Sequence, residues 1–340
     1  MPTLTGITIF PVKSLDGLSL TEATVLPSGA LAGDRRWRLV DAEGRVVNAK
    51  RTARFHLIRA EFELADRGTG WGEGPPPGGN FISLSLDEAA VGDSPPSLAP
   101  EVFPLVPGRE GPCGWLSEAL AEEVFLQERA EGGFPDDREA AGPTLISTES
   151  LTEVARWFGW ELAEARRRFR MNLEAVGDDF TEDKFIEVSA TEAGGEASKS
   201  LVANQQHVSA LTGPFWEDVL ACPAHPLSAL ADVAAAADPY ADLPPPEPQR
   251  FMIGQAQFQA TGICRRCVVP SRHSRTGQPT ALFHDVFEAR RGRGLRGDVD
   301  ARAWGNYFRL GVLTKFTNEG NSYQVCRLDD PLKLKRAEVS

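Results

Sequence analysis

Gly254-Gln-Ala-Gln-Phe-Gln-Ala-Thr-Gly-Ile-Cys264-Arg-Arg-Cys267-Val-Val-Pro270 starts as an alternating segment and ends at two thiols separated by two arginines. Traced back to its start, it puts Phe251, Ile253 and Gln257 on one face, and Met252, Gly254, Ala256 and Phe258 on the other. A period of two predicts a strand, broken at Thr261-Gly262 just ahead of the cysteines. Cys264 and Cys267 are therefore expected at a strand exit, held by a scaffold yet reachable. A C-x-x-C of this kind has several readings. Structural zinc wants a second pair or close histidines, whereas Cys113, Cys222 and Cys326 stand alone and His273 follows Cys267 at a distance. A thioredoxin-like dithiol wants a helix N-terminus, and Val268-Val-Pro-Ser-Arg272 is not a helix start. A single soft thiolate could instead hold a redox metal, its pKa lowered by Arg265, Arg266 and the cation. Two buried cysteines acting as small hydrophobes are the plain alternative. The spacing alone leaves all of these open.

The rest of the chain narrows the class. With 340 residues it can form two modest domains or one large one. A net charge of −12 argues against nucleic acid as the main partner, while leaving room for a pocket of arginines around a small anion. Five cysteines, an odd number without framework spacing, point to a reducing compartment. Met1-Pro-Thr-Leu-Thr-Gly6 lacks a basic region followed by an apolar core, so no signal peptide is expected. No apolar run approaches a bilayer span. The expectation is a soluble cytoplasmic protein with no membrane partner.

The 32 glycines and 25 prolines, scattered throughout, suit many short strands and turns. Residues 4–26 read as two strands joined by a turn at Leu15-Asp-Gly17, with Lys13-Ser14 in the loop. Arg35 to Val40 is a third strand, returning through Val46-Val47 after a turn at Asp41 to Gly44. Phe55 to Leu64 and Phe81 to Leu86 are further strands, around a Gly/Pro-rich loop at 68–80. This density predicts a small β-barrel in the first hundred residues. Leu116 to Leu126 is expected to be a short helix, and Glu128 to Pro143 a linker. Leu151, Val154, Ala155 and Phe158 share a helix face, with Ser147 or Ser150 as N-cap and Gly159 as C-cap. The helix N-terminus beside Ser147 is a potential anion site. Arg166 to Leu173 is a basic segment entering a strand, and another strand is expected from Phe180. Residues 190–248 read as an insertion, with a helix-like piece near 227–237. Leu282 to Arg290 is helix-like, and Tyr307 to Leu313 and Ser322 to Arg327 are strands.

Five motifs appear in order: Phe10-Pro-Val-Lys13-Ser14, Gly33-Asp34-Arg35-Arg36-Trp37, Arg168-Phe-Arg170-x-Asn172-Leu173, Phe180-x-Glu182-Asp183-x-Phe185 and Cys264-Arg-Arg-Cys267. Together they resemble the MOSC family, whose relatives include the mitochondrial amidoxime-reducing components, bacterial reductases of N-hydroxylated bases, and the C-terminal domain of molybdenum-cofactor sulfurase. The resemblance implies a mostly β, α+β chain. An N-terminal small β-barrel domain (1–127) would pack on a β-barrel MOSC domain (128–340) carrying the insertion at about 190–248. It also implies the molybdenum cofactor (Mo-molybdopterin), with Cys267 as metal ligand and catalytic centre. Lys13, Ser14 and Arg35 would reach the pterin or its phosphate from the barrel side. Arg170, Asn172 and Arg266, together with Ser147, would do so from the other side. Pyridoxal phosphate binding is a further family-level option.

The implied reaction is reduction of small N-hydroxylated substrates, with electrons from a separate flavoprotein or iron–sulfur protein. A sulfur carrier or cofactor-handling protein with a persulfide on Cys267 is the alternative, and a non-catalytic binding module for a phosphorylated ligand is a third reading. Without the resemblance, Lys13 and Arg35 would read as solvated charges, Ser147 as a helix cap, and two of Arg166, Arg167 and Arg168 as helix surface. Cys264 reads as packing. The chain departs from the family at Met171, where proline is usual. It also departs in the basic run from Ser271 to Arg275 after the second cysteine, and at Asp329-Asp330, where Gly-Asp is usual.

Overall fold

A computed structural model describes residues 1–65, 79–87, 98–137, 140–177, 182, 249–294, 307–318 and 323–335. The strand expected from Phe180, the insertion at 190–248, most of the 68–80 loop and Cys222 lie outside the described residues. In chain order the first part supplies β1 (Thr3–Ile9), β2 (Leu18–Leu20), β3 (Glu22–Val25), β4 (Trp37–Val40), β5 (Val46–Val47), β6 (Ile58–Glu63), β7 (Phe81–Leu86) and β8 (Glu101–Pro104). A helix, α1 (Cys113–Leu120), and β9 (Phe125–Glu128) follow. Then come β10 (Leu145–Ser147), α2 (Thr148–Phe158), α3 (Leu162–Phe169) and β11 (Leu173–Val176). The last part supplies β12 (Arg250–Ile253), β13 (Ala256–Arg265), α4 (Phe283–Gly294), β14 (Arg309–Phe316), β15 (Gln324–Arg327) and β16 (Leu332–Lys335). Strands dominate and helices are few, which is the expected α+β class.

Eight strands form one sheet in the order β16-β12-β13-β14-β10-β11-β1-β2. Strands from both sides of residue 127 share it, because β1 pairs antiparallel with β11. β3 pairs with β15, and β4 with β9, so chain ends far apart in sequence are tied early and late. The segment that decides the fold is a hairpin and not a single strand. Gly254 and Gln255 form its turn, with Gly254 at φ 56° as a two-residue turn starting on glycine requires. Phe251 and Phe258 therefore face each other across β12 and β13, and both are fully buried, where simple alternation put them on opposite faces. Each contributes roughly 2–3 kcal/mol of burial. Thr261-Gly262 does not break the strand either: the register with β14 shifts there as a bulge, and β13 runs on to Arg265. Other departures are local. Residues 53–57 are a 3-10 turn before β6, and the helix expected at 116–126 ends at Leu120 so that β9 can pair with β4.

One row across the sheet places the site. Ile7, Leu173, Leu145, Val312 and Ile263 are successive partners on five strands, and all five enter the main apolar core. Their chain neighbours Thr8, Asn172, Thr144, Leu313 and Cys264 alternate away from that core and line a cavity. Beside it, Ile146 and Leu310 join a second apolar cluster with α2, α3 and α4, including Phe169, Phe283 and Phe287. Gly311, at φ 78°, lies against Met171, whose Cε comes within 2.2 Å of where a Cβ would stand. The positive φ favours glycine there, and a side chain would also push the Met171 methyl aside.

Candidate functional site

The cavity measures about 590 Å³ and is lined by ten lysine and arginine side chains against four carboxylates, on a chain whose net charge is −12. Its first wall is the loop after β1. That loop is fixed by backbone bonds: Arg35 N to Phe10 O at 2.8 Å, Trp37 N to Pro11 O at 3.0 Å and Lys13 N to Trp37 O at 2.9 Å. Phe10 N also donates to Asp34 Oδ1 at 2.8 Å. Ser14 adopts φ 76°, and its hydroxyl accepts from Ala49 N at 3.0 Å. Lys13 Nζ meets Asp136 Oδ1 at 2.8 Å, and Arg35 pairs with Asp34 and reaches Asp136 at 3.7 Å. Burial works against the Arg35 charge, but Asp34 and Asp136 outweigh it and raise its pKa.

The second wall begins at the end of α3. Arg170 is its C-cap at φ 53°, and Nη2 donates to Leu15 O at 2.6 Å. Its guanidinium lies 4.2 Å from the Phe10 ring centre, and that of Arg35 lies 5.6 Å from the same ring. Burial, reinforced by Arg35, pushes the Arg170 pKa down to about 10. Among the described residues Arg170 makes no ion pair. Arg266 donates from Nη2 to Phe169 O at 2.6 Å and from Nη1 to Met171 Sδ at 3.5 Å, while its buried Nε has no partner among the described residues. The half-buried thiol of Cys267 follows it in the lining. Ser14, Arg35 and Arg170 are three of the six non-glycine residues with positive φ among the described residues. Such strain persists only where surrounding contacts enforce it, and it clusters at functional sites.

Of the residues expected from sequence, Lys13, Ser14, Arg35, Arg170, Asn172, Arg266 and Cys267 all line this cavity. Asn172 does so as a bridge: its Nδ2 donates to Thr8 O at 3.0 Å, and its Oδ1 accepts from Thr144 and from Arg35 at 3.4 Å. It orients Arg35 with little capacity left for a ligand. Ser147 does not reach the cavity and leaves the cofactor-binding set. It is fully buried, caps α2 by accepting from Ser150 N at 3.1 Å, and donates to Glu182 Oε2 at 2.7 Å. Glu182 Oε2 also accepts from Ser147 N at 3.0 Å and Ser150 Oγ at 2.8 Å. The helix N-terminus does hold an anion, and it is the chain's own carboxylate. Cys264 is 4% exposed, and burial pushes its thiol up to about 12, which keeps it protonated as a packing residue.

Sequence reasoning missed several groups here. Asp136 sits in the presumed linker, His56 in the 3-10 turn, and Thr144 just before β10. It also missed how the segment after Cys267 is fastened. Glu164 on α3 accepts from Ser274 N at 3.0 Å and Ser274 Oγ at 2.5 Å, and pairs with buried Arg168 at 2.6 Å. Arg168 in turn donates to Pro270 O at 3.3 Å, and Arg272 donates to Ala49 O at 2.6 Å. An acidic residue inside a basic helix was the available signal for Glu164.

Among the described residues no group of three or more His, Cys, Asp or Glu side chains could hold a metal by itself. A metal arriving with its own sulfur ligands needs only Cys267, and an anionic ligand finds Arg170 and Arg266 without carboxylate partners, so the residues fit a metal-bearing anionic cofactor. Among the described residues no helix is long and apolar enough to cross a membrane. No curated protein matches the chain. The family model of the MOSC N-terminal beta barrel domain matches residues 1–93, so the first part of the chain is similar to that domain.

Proposed function

We propose that the cavity binds the molybdenum cofactor through Cys267 and that the chain reduces small N-hydroxylated compounds with electrons from a separate flavoprotein or iron–sulfur protein. The observation that carries this reading is the pairing, in one cavity, of a half-buried thiol with a half-buried guanidinium, Arg170, that makes no ion pair among the described residues. A buried cation without a counter-ion is costly unless a ligand supplies one. Arg170 and Arg266 would take the negative charge of the ligand with planar forks. Cys267, as thiolate, suits a soft metal. Lys13, Arg35 and Ser14 would border the pterin from the other wall, with Asn172 holding Arg35 in place. Bound there, the cofactor would supply a two-electron redox centre able to accept the oxygen of an N–OH group, the balance being completed by two protons and release of water. The Glu164 contacts to Ser274 keep the segment beyond Cys267 in one position, so that the thiol presents a fixed direction to the cavity.

The chain purified from a cofactor-competent host should carry molybdenum by elemental analysis and reduce a hydroxylamine or amidoxime with benzyl viologen as donor. Cys267→Ala should lose both. Unchanged turnover in that variant would end the proposal. A labile gain of one sulfur on Cys267 by intact mass, without molybdenum, would favour the sulfur-carrier alternative.

A further inference from the structure

His56 belongs to none of the roles given above. It lies in the 3-10 turn 53–57, is 8% exposed, and lines the cavity, yet its Nε2 has no hydrogen-bond partner among the described residues. Buried polar groups in folded chains are nearly always partnered, and an orphan calls for an explanation. Its surroundings supply one. Arg170 and Arg168 approach from α3, Arg272 from the segment after Cys267, and Arg59 from β6, whose Nη2 donates to His56 O at 2.7 Å. Burial first, and then these four guanidiniums, push the imidazole pKa down to about 4. Carboxylates close to the group are already engaged: Asp16 and Asp87 with Arg59, and Glu164 with Arg168. Of the four guanidiniums, Arg170 and Arg272 make no ion pair among the described residues; Arg272 is held by Ala49 O, whereas Arg170 lines the cavity and takes the ligand's charge under the reading above.

We propose that His56 takes up a proton when an anion fills the cavity, so that ligand binding and the charging of this imidazole are one event. The inference rests on the reading of the cavity as an anion site. An anion at Arg170 offsets part of the repulsion that, with burial, holds His56 neutral, and offers its ring a hydrogen-bond acceptor. The reduction proposed above consumes protons as well as electrons, and a histidine charged only when the cavity is filled would keep one of those protons inside the site.

Sulfate, whose charge is constant across the range, is the probe. Imidazole resonances of the cofactor-free full chain are followed against pH in sulfate and in sodium chloride at matched ionic strength, with His56→Gln assigning the signal. The His56 midpoint should rise in sulfate by roughly one to three pH units, the effect of a charge close to a titrating group. Calorimetry of sulfate binding at about pH 5.5, below the ordinary histidine value, in two buffers of different ionisation enthalpy should show proton uptake by the unmodified chain. Sulfate binding that Arg170→Met abolishes, with no shift of the His56 midpoint and no proton uptake, would overturn the coupling and leave the anion site standing. Absence of any sulfate binding would overturn both.

Discussion

On the wall built by residues 10–37, Lys13 and Arg35 are each matched to carboxylates, Asp136 for both and Asp34 for the second. On the wall built by the end of α3 and the segment after β13, Arg170 and Arg266 are held instead by the carbonyls of Leu15 and Phe169. A carbonyl fixes a guanidinium without neutralising it. The first wall is thus balanced within the chain and serves the fold, whereas the second keeps its charge for something that arrives. This difference explains how one chain can be acidic overall and still present a cationic cavity. It also means that equal charges on the two walls should respond oppositely to removal.

The largest effect tests that statement directly. Arg35→Met leaves Asp34, which is nearly buried, without its partner, and should destabilise the ligand-free chain by roughly 2–3 kcal/mol in denaturant unfolding. Arg170→Met removes a half-buried cation that makes no ion pair among the described residues, and should change stability by no more than about 1 kcal/mol. For sulfate binding by calorimetry the Arg170 change should be severe, roughly tenfold to a hundredfold weaker, as for a lost hydrogen bond between charged groups. If both variants lose the same stability, the walls are alike and the comparison fails.

The next effect sharpens the account of the second wall. Glu164 is the carboxylate found there, and its partners are Arg168 and Ser274, not the cavity cations. Burial pushes its carboxyl up, but the Ser274 hydrogen bonds and the Arg168 guanidinium outweigh it and hold the pKa down to about 2, well below the ordinary carboxyl value. A carboxyl held low in the folded chain stabilises it fully above its unfolded value, and that stability is lost as the pH falls from 4.5 toward 2. The loss should amount to about 1–2 kcal/mol, and Glu164→Gln should flatten the stability–pH curve in that window. An unchanged acid limb would show that the segment beyond Cys267 is fastened by other contacts.

Much of this arrangement is legible in the chain, and the reasons for the rest are physical. Lys13, Ser14, Arg35, Arg170 and Arg266, which line the cavity, stand out in the sequence because their neighbours form motifs, and motifs are local. The hairpin at Gly254 was misread because Gly254-Gln255 fits an alternating pattern as well as a turn, and periodicity cannot register a reversal of direction. Ser147 was misassigned because a helix N-terminus announces an anion without saying whose. Glu182 answers that only once the fold sets it beside Ser147 and Ser150. His56 and Asp136 carry no local pattern at all. They matter through residues more than a hundred positions away, such as Arg170 and Lys13, and only the shared sheet of β1 and β11 brings these together.

Asp136 offers the smallest effect and the finest test of the comparison. Its side chain is 54% exposed, yet Arg35 and Lys13 outweigh the cost of burial and hold its carboxyl well below the usual range. It reaches them because the preceding segment hugs the first wall: Phe134 N donates to Arg35 O at 2.8 Å, and a Cβ on Gly133 would stand 2.4 Å from Asp34 O. Asp136→Asn keeps the shape and removes the charge, which leaves Lys13 without a carboxylate and Arg35 paired with Asp34 alone. Half exposure limits the stability change to under about 1 kcal/mol. Sulfate affinity should rise by a few-fold, because Lys13 would then be free to share the anion with Arg170. An unchanged or weaker affinity would mean that the first wall stays closed to anions even when the Asp136 charge is gone, and that the charge available to a ligand resides in Arg170 and Arg266 alone.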